Sequence, residues 1–198
     1  MTHYYDKKQT SPVREEELTV RVAGLSLPFF VASGLFSRAH LDNATKLLIE
    51  NADLRGATSV LDLGCGWGVV ACVMKHLFPD LRVTESDINE RAVRYTKKNA
   101  QKLKTDIDVV NTNICEDLAS FDVILTNPPY TAGRDVCYAF IEQSYAHLND
   151  GGSLQLVARH QKGGKMLAKK IEEIFGNVDV IAKGSGFRIY RGIKNGSQ

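Results

Sequence analysis

Two short apolar runs, Leu18 to Val22 and Leu27 to Val31, are separated by Ala23-Gly24 and predict a hairpin or a pair of small strands. Leucines and isoleucine at 41, 47, 48 and 49 then predict a helix over Leu41 to Asn51. From Ser59 onward strands and helices alternate. The pattern predicts strand Ser59–Leu63, helix Val69–Phe78, strand Leu81–Glu85, helix Glu90–Leu103 and strand Asp108–Asn113. It continues with strand Phe121–Thr126, helix Asp135–Leu148, strand Ser153–Ala158, helix Lys165–Phe175 and strands Val178–Ala182 and Phe187–Arg191. Such alternation predicts an α/β fold, Rossmann-like and doubly wound, with helices on both faces of a mostly parallel seven-stranded sheet. Only Lys183 to Gly186 joins the last two strands, too few residues for a helical crossover, so these two pair antiparallel. Residues 1–32 are expected to form a β extension packed on the core, and residues 33–198 the main domain.

Composition bounds this picture. With 198 residues and 43% hydrophobic content the chain supports one buried core, so a large substrate must be gripped by the same unit that does the chemistry. A formal charge of +2 does not by itself announce a polyanionic partner. Cys65, Cys72, Cys115 and Cys137 show no C-x-x-C pair and no histidine at metal-ligand spacing, so reduced thiols and no metal are expected. No apolar run approaches the roughly 20 residues of a membrane span, and the start, Met1 to Lys8, is polar, which gives a cytoplasmic expectation without membrane contact. The sequons at Asn43 and Asn195 need a secretory context and are assigned no function.

Val60-Leu61-Asp62-Leu63-Gly64-Cys65-Gly66-Trp67-Gly68 ends the first strand of the sheet with a glycine turn and opens a helix. Glycine turns at this place admit either a dinucleotide or another nucleotide-like cofactor. Here the spacing is G-x-G-x-G, and Asp62 stands just before the turn, where it would repel a diphosphate and attract a cationic amino acid. S-adenosylmethionine (SAM) meets that description. At the end of the second strand Asp87 is placed to grip ribose hydroxyls, with Glu85 the alternative and Ile88 beside it; Asn113 and Ile114, after the third strand, are expected beside adenine.

Asn127-Pro128-Pro129-Tyr130 follows the apolar strand Phe121–Thr126. Two prolines stop the ladder and stiffen the backbone. An exocyclic amine conjugated to a base is a poor nucleophile until its lone pair is localised. The Asn127 side-chain oxygen and the Pro128 carbonyl can accept its two N–H groups and leave the lone pair aimed at a methyl donor, and Tyr130 offers a ring to stack on a flat acceptor. Asn127, Pro128, Pro129 and Tyr130 are the candidate catalytic residues, and Asn127 also borders the cofactor.

In these motifs the chain resembles the small-domain class I methyltransferases of the ribosomal RNA guanine-N2 family and their single-domain archaeal relatives. The likeness runs from about Ser33 to Arg191 through Ser33-Gly34-Leu35-Phe36-Ser37, the glycine loop, Asp87-Ile88-Asn89, Asn127-Pro128-Pro129-Tyr130 and Ala132-Gly133-Arg134. The resemblance implies that Asp62, Gly64, Cys65 and Gly66 meet the methionine end of SAM, Asp87 the ribose and Asn113 the adenine. It places the acceptor amine on residues 127–130, and Phe36 and Ser37 at the transfer cleft. Two departures stand out. Ala44 precedes Thr45 where the family has glycine, which weakens a cofactor role for Thr45. Tyr130 replaces the phenylalanine of the bacterial RNA guanine enzymes and is shared with adenine-N6 and glutamine-amide methyltransferases, the latter acting on release factors. The implied partner is ribosomal RNA or the small ribosomal subunit, and a monomer is expected because no apolar stripe is left over. The extra amino-terminal domain of the bacterial enzymes has no counterpart here, so RNA contact is expected from this domain.

Basic residues fall in two groups. Lys97, Lys98, Lys102 and Lys104 read as a solvated helix face. Arg134 is the candidate substrate contact beside Phe36 and Tyr130, and the Arg159 to Lys162 segment suits phosphates; Arg188 and Arg191 are expected near the same edge.

Overall fold

The computed structural model describes residues 7, 12–37, 39–115 and 118–196. Most of the polar start, part of the 1–32 extension and Ser197 of the second sequon lie outside the described residues.

Strands β1 (Glu15–Val22) and β2 (Leu25–Ala32) form an antiparallel hairpin. Helix α1 (Asn43–Asn51) leads into the main sheet of β3 (Ser59–Leu63), β4 (Arg82–Asp87), β5 (Asp108–Asn111), β6 (Phe121–Thr126), β7 (Leu148–Arg159), β8 (Asp179–Gly184) and β9 (Phe187–Ile193). Helices α2 (Val69–Leu77), α3 (Glu90–Leu103), α4 (Arg134–Ala146) and α5 (Lys165–Phe175) complete the fold. The sheet order is β5-β4-β3-β6-β7-β9-β8, parallel through β7 and antiparallel at β9. This is the Rossmann-like methyltransferase architecture expected from the alternation. The chain reverses direction of winding between β3 and β6, and a cleft opens there at the carboxyl ends of the strands.

Period-two alternation distributes the sheet over two cores. Val60, Val123, Leu125 and Val157 face α1, α2, α3 and the hairpin, whereas Leu61, Leu63, Ile124 and Leu156 face α4 and α5. All four cysteines are free and buried.

The hairpin is fastened to α3. The Asn99 side chain donates to the Phe30 carbonyl (2.9 Å) and accepts from the Phe30 amide (2.7 Å), in effect adding one ladder pair to the edge of β2. Lys98 and Lys102 lie 4.0 and 3.9 Å above the Phe30 ring and pair with Glu15 and Glu17, each at 2.6 Å. These two lysines are therefore clamps, which corrects their reading as a free solvated face. Lys170 is likewise held between Glu142 and Glu173, tying α5 to α4.

Strand β7 starts at Leu148, five residues before its expected start. The chain passes Gly151 and Gly152 through a register shift opposite Phe121 and Val123 rather than ending there. A Cβ on Gly152 would lie 2.8 Å from the carbonyls of Asn149 and Asp122, so only glycine lets the two strands approach this closely.

Candidate active site

A cavity of about 530 Å³ opens at the winding reversal. Its first end is the turn after β3. Gly64, Gly66 and Gly68 all have positive φ, at 82°, 62° and 84°. Gly64 and Cys65 donate their amides to the Ser86 carbonyl, which binds the turn to the end of β4. A Cβ on Gly68 would come within 3.0–3.1 Å of Thr96 and of Glu85 Oε2 beneath it, so a side chain is excluded by space as well as by φ.

Two acids are buried under this turn and a third, Asp87, is half-buried beside it. Asp62 and Glu85 are register partners on adjacent parallel strands, 3% and 0% exposed. Asp62 Oδ2 and Glu85 Oε2 have no donor among the described residues. Burial pushes Asp62 up to about 7, with the negative Asp87 adding to it, while a hydrogen bond from Glu85 opposes the shift. Burial raises Glu85 well above its ordinary value too, and its neighbour Asp62 reinforces this. Asp87 is raised to about 6 by burial, offset by backbone amides. Its Oδ1 accepts from Asn89 N–H (2.8 Å) and its Oδ2 from Gly66 N–H (3.1 Å).

Asp62, Gly64, Cys65, Gly66, Asp87, Ile88, Asn113 and Ile114 all line the cavity. Glu85 does not: its Oε1 accepts from the Ala71 amide in α2, so the alternative ribose carboxylate faces away from the cavity. The Cys65 thiol is turned onto Thr96 (3.4 Å).

The second end is built by Asn127 to Tyr130, the start of α1 and the Leu35 to Ser37 segment. Pro129, with φ −76° and ψ 83°, makes an inverse γ-turn in which the Tyr130 amide donates to the Pro128 carbonyl (2.9 Å). That carbonyl keeps one lone pair for a ligand. Tyr130 donates its hydroxyl to the Val157 carbonyl on β7 (2.9 Å), which fixes the plane of the ring, and burial raises its pKa. Phe36 lines the mouth with its ring 41% exposed.

Asn127 is oriented by two residues that sequence reasoning assigned no acceptor role. Its Nδ2 donates to Thr45 Oγ1 (3.1 Å) and Asp42 Oδ1 (3.4 Å). Asp42 Oδ1 accepts here, as it does from two backbone amides, so the NH₂ faces Asp42 and the amide oxygen is turned to the other side. Asp42 is itself the N-cap of α1, accepting from Ala44 and Thr45 amides at 3.0 and 3.1 Å. Its partner Asn127 lies 85 residues away, beyond the reach of any local sequence pattern.

Among the basic candidates, Arg134 begins α4 next to the lining residue Asp135, its own side chain outside the lining and paired weakly with Asp135 at 3.4 Å. Arg159 stacks on Phe187 at the carboxyl end of β7. Beside it His160 meets the Tyr190 hydroxyl (2.7 Å) in the field of Arg188, Lys165 and Lys183. Arg191 departs from expectation: it is paired with Asp53 (2.8 Å) and Asp179, in register with Gln155 and thus away from the catalytic edge. Among the described residues there is no group of three or more metal-ligating side chains, and no helix long and apolar enough to cross a membrane.

The sequence model of one family, the methyltransferase small domain, matches residues 26–191. The chain belongs to this family. Among small-domain relatives, the Bacillus subtilis (strain 168) protein YbxB is 32% identical, with 97% of this chain and 98% of YbxB covered. The ribosomal RNA small subunit methyltransferase C of Haemophilus influenzae (strain PittGG) is 31% identical over 86% of this chain and 52% of its own. A solved T. thermophilus 16S rRNA N2 G1207 methyltransferase (RsmC), in complex with AdoMet and guanosine, superposes with a TM-score of 0.81 at 26% identity, covering 95% of this chain and 53% of that one. The chain thus spans about half the length of these two named rRNA methyltransferases.

Proposed function

We propose that this methyltransferase uses SAM to methylate the exocyclic N2 amine of guanine in ribosomal RNA of the small subunit. The observation that carries the reading is the locked orientation of Asn127: its NH₂ is held by Asp42 and Thr45, which leaves its oxygen to accept in the cavity that Pro128 also lines. The named rRNA methyltransferases support it, as does the AdoMet and guanosine held by the T. thermophilus structure.

The cofactor end fits SAM on its own chemistry. Asp62, buried at the cavity wall, has no cationic partner among the described residues, and a ligand ammonium would supply one. Asp62 with Gly64, Cys65 and Gly66 would hold the methionine portion, Asp87 the ribose, and Ile88, Asn113 and Ile114 the adenine. SAM supplies an electrophilic methyl group on its sulfonium.

The residues do the rest by position. Asn127 Oδ1 and the Pro128 carbonyl accept the two N–H groups of the acceptor amine, which frees its lone pair. Tyr130 stacks on the base, a contact worth about 1–3 kcal/mol. Holding reactants in line contributes up to ~7–11 kcal/mol in well-oriented systems. Phe36 flanks the entering base, and Arg134, Arg159, Arg188, Lys165 and Lys183 offer positive charge to flanking phosphates.

The deciding experiment incubates the purified protein with radiolabelled SAM and small ribosomal subunits from a strain lacking it, then digests the RNA for nucleoside mass spectrometry. N2-methylguanosine is expected. N6-methyladenosine would keep the mechanism and change the base; label in protein would replace the reading by glutamine-amide transfer.

A further inference from the structure

Exocyclic amines differ in what stands next to them. Beside guanine N2 is N1–H, a donor. Adenine N6 and cytosine N4 each have a ring nitrogen acceptor there, and a glutamine amide has its carbonyl oxygen. A site that places a second acceptor beside the one receiving the amine therefore favours guanine and repels the other three.

Such an acceptor is present. Asp42 lines the cavity next to Asn127. Its Oδ1 already accepts from the amides of Ala44 and Thr45 and from Asn127 Nδ2, which fixes the carboxylate in place. Among the described residues no donor is bonded to Oδ2. We propose that Asp42 is the residue that selects guanine, its free carboxylate oxygen accepting N1–H while Asn127 and Pro128 accept the N2 amine. This rests on the guanine-N2 reading and adds the group that enforces it. The same carboxylate then performs three tasks: it caps α1, orients the Asn127 amide and reads the base edge. A base with N1 as acceptor would set a lone pair against a carboxylate, and sites built around such a hydrogen bond reject the mismatched ligand by as much as ~10⁴–10⁵-fold.

Asp42→Asn separates the reading task from the structural ones. Asparagine caps a helix as well as aspartate does and keeps an acceptor for Ala44, Thr45 and Asn127, but it replaces Oδ2 with a donor. With unmethylated small-subunit rRNA as substrate, the variant should keep its melting temperature and its SAM Kd within about twofold. Its kcat/KM for guanine transfer should fall by about a hundredfold or more. Competition by free nucleosides gives a readout that capping does not move. Guanosine should inhibit the wild type at concentrations at least about tenfold below 2-aminoadenosine, which has the same 2-amine but an acceptor N1, and Asp42→Asn should erase or invert that preference. If the wild type yields N2-methylguanosine and Asp42→Asn transfers within threefold of it, the proposal is overturned while the guanine reading stands. If the wild type labels adenine or protein, both fall together.

Discussion

At the glycine-turn end of the cavity two acids, Asp62 and Glu85, are buried with too few donors; at the Asn127 end each polar side chain named is held by a partner. Asp62 and Glu85 each carry an oxygen without a donor among the described residues, whereas the Asn127 amide, the Tyr130 hydroxyl and the Asp42 cap are anchored to Thr45, Val157 and α1. The first end is electrostatically incomplete, and under the proposed reading a cationic ligand finishes it. The second is preorganised, and its donors and acceptors are fixed before an acceptor arrives. Damage to the two ends should therefore show up in different measurements.

The largest effect is expected from Asn127→Ala. Transfer should fall by about 10³-fold or more, since the amine loses the acceptor that localises its lone pair. Isothermal calorimetry should find SAM binding nearly unchanged; a parallel loss of SAM affinity would remove the division between the two ends. Next in size is a pH effect confined to the cofactor end. Asp87 sits near 6 and Asp62 near 7, both above the usual carboxylate range, so protons are retained in the ligand-free fold between about pH 4 and 7 that an unfolded chain would release. Ligand-free stability should accordingly decline as pH rises through that window. A bound cation reverses the preference, so SAM affinity should strengthen by roughly tenfold between pH 5.5 and 7.5, with proton release on binding. A flat affinity profile would show that the cation does not meet these carboxylates. The smallest effect belongs to the periphery: Lys98→Ala removes a partly exposed ion pair and a contact on Phe30. It should cost about 1 kcal/mol, or about 2–4 °C in melting temperature, with SAM affinity unaltered.

What could be read from the chain, and what could not, follows the range of the interactions. Strands β3 and β6 and helices α3 and α5 end where local chemistry ends them: Gly64 after β3, Pro128 after β6, the Asn89 cap before α3 and Gly176 after α5. The glycine turn and the Asn-Pro-Pro-Tyr loop are each continuous in sequence, and the topology alone suffices to bring them to one cavity. Strand β7 was misjudged because Gly151-Gly152 reads as a breaker, and only its neighbour β6 makes it a tolerated bulge. Lys98 and Lys102 look solvated until the hairpin supplies Glu15 and Glu17, 83 and 85 residues distant. Ala44 weakens only a cofactor role for Thr45; the contact of its hydroxyl with Asn127, 82 residues away, has no local sequence signal. Arg191 shares a short segment with Arg188, but β9 runs antiparallel to β7, so it pairs further from the carboxyl end of β7, where Asp53 and Asp179 hold it.

Trp67 is the chain's single tryptophan, and it sits where the hairpin, the glycine turn and the cavity mouth meet. Its indole N–H donates to the Phe36 carbonyl (3.0 Å), its own carbonyl accepts from Asn99 (2.8 Å), and its ring stands edge-on to Phe29. The molecule thereby carries a built-in optical probe with no competing indole and no label attached: its emission reports the surroundings that the glycine turn and the segment around Phe36 share.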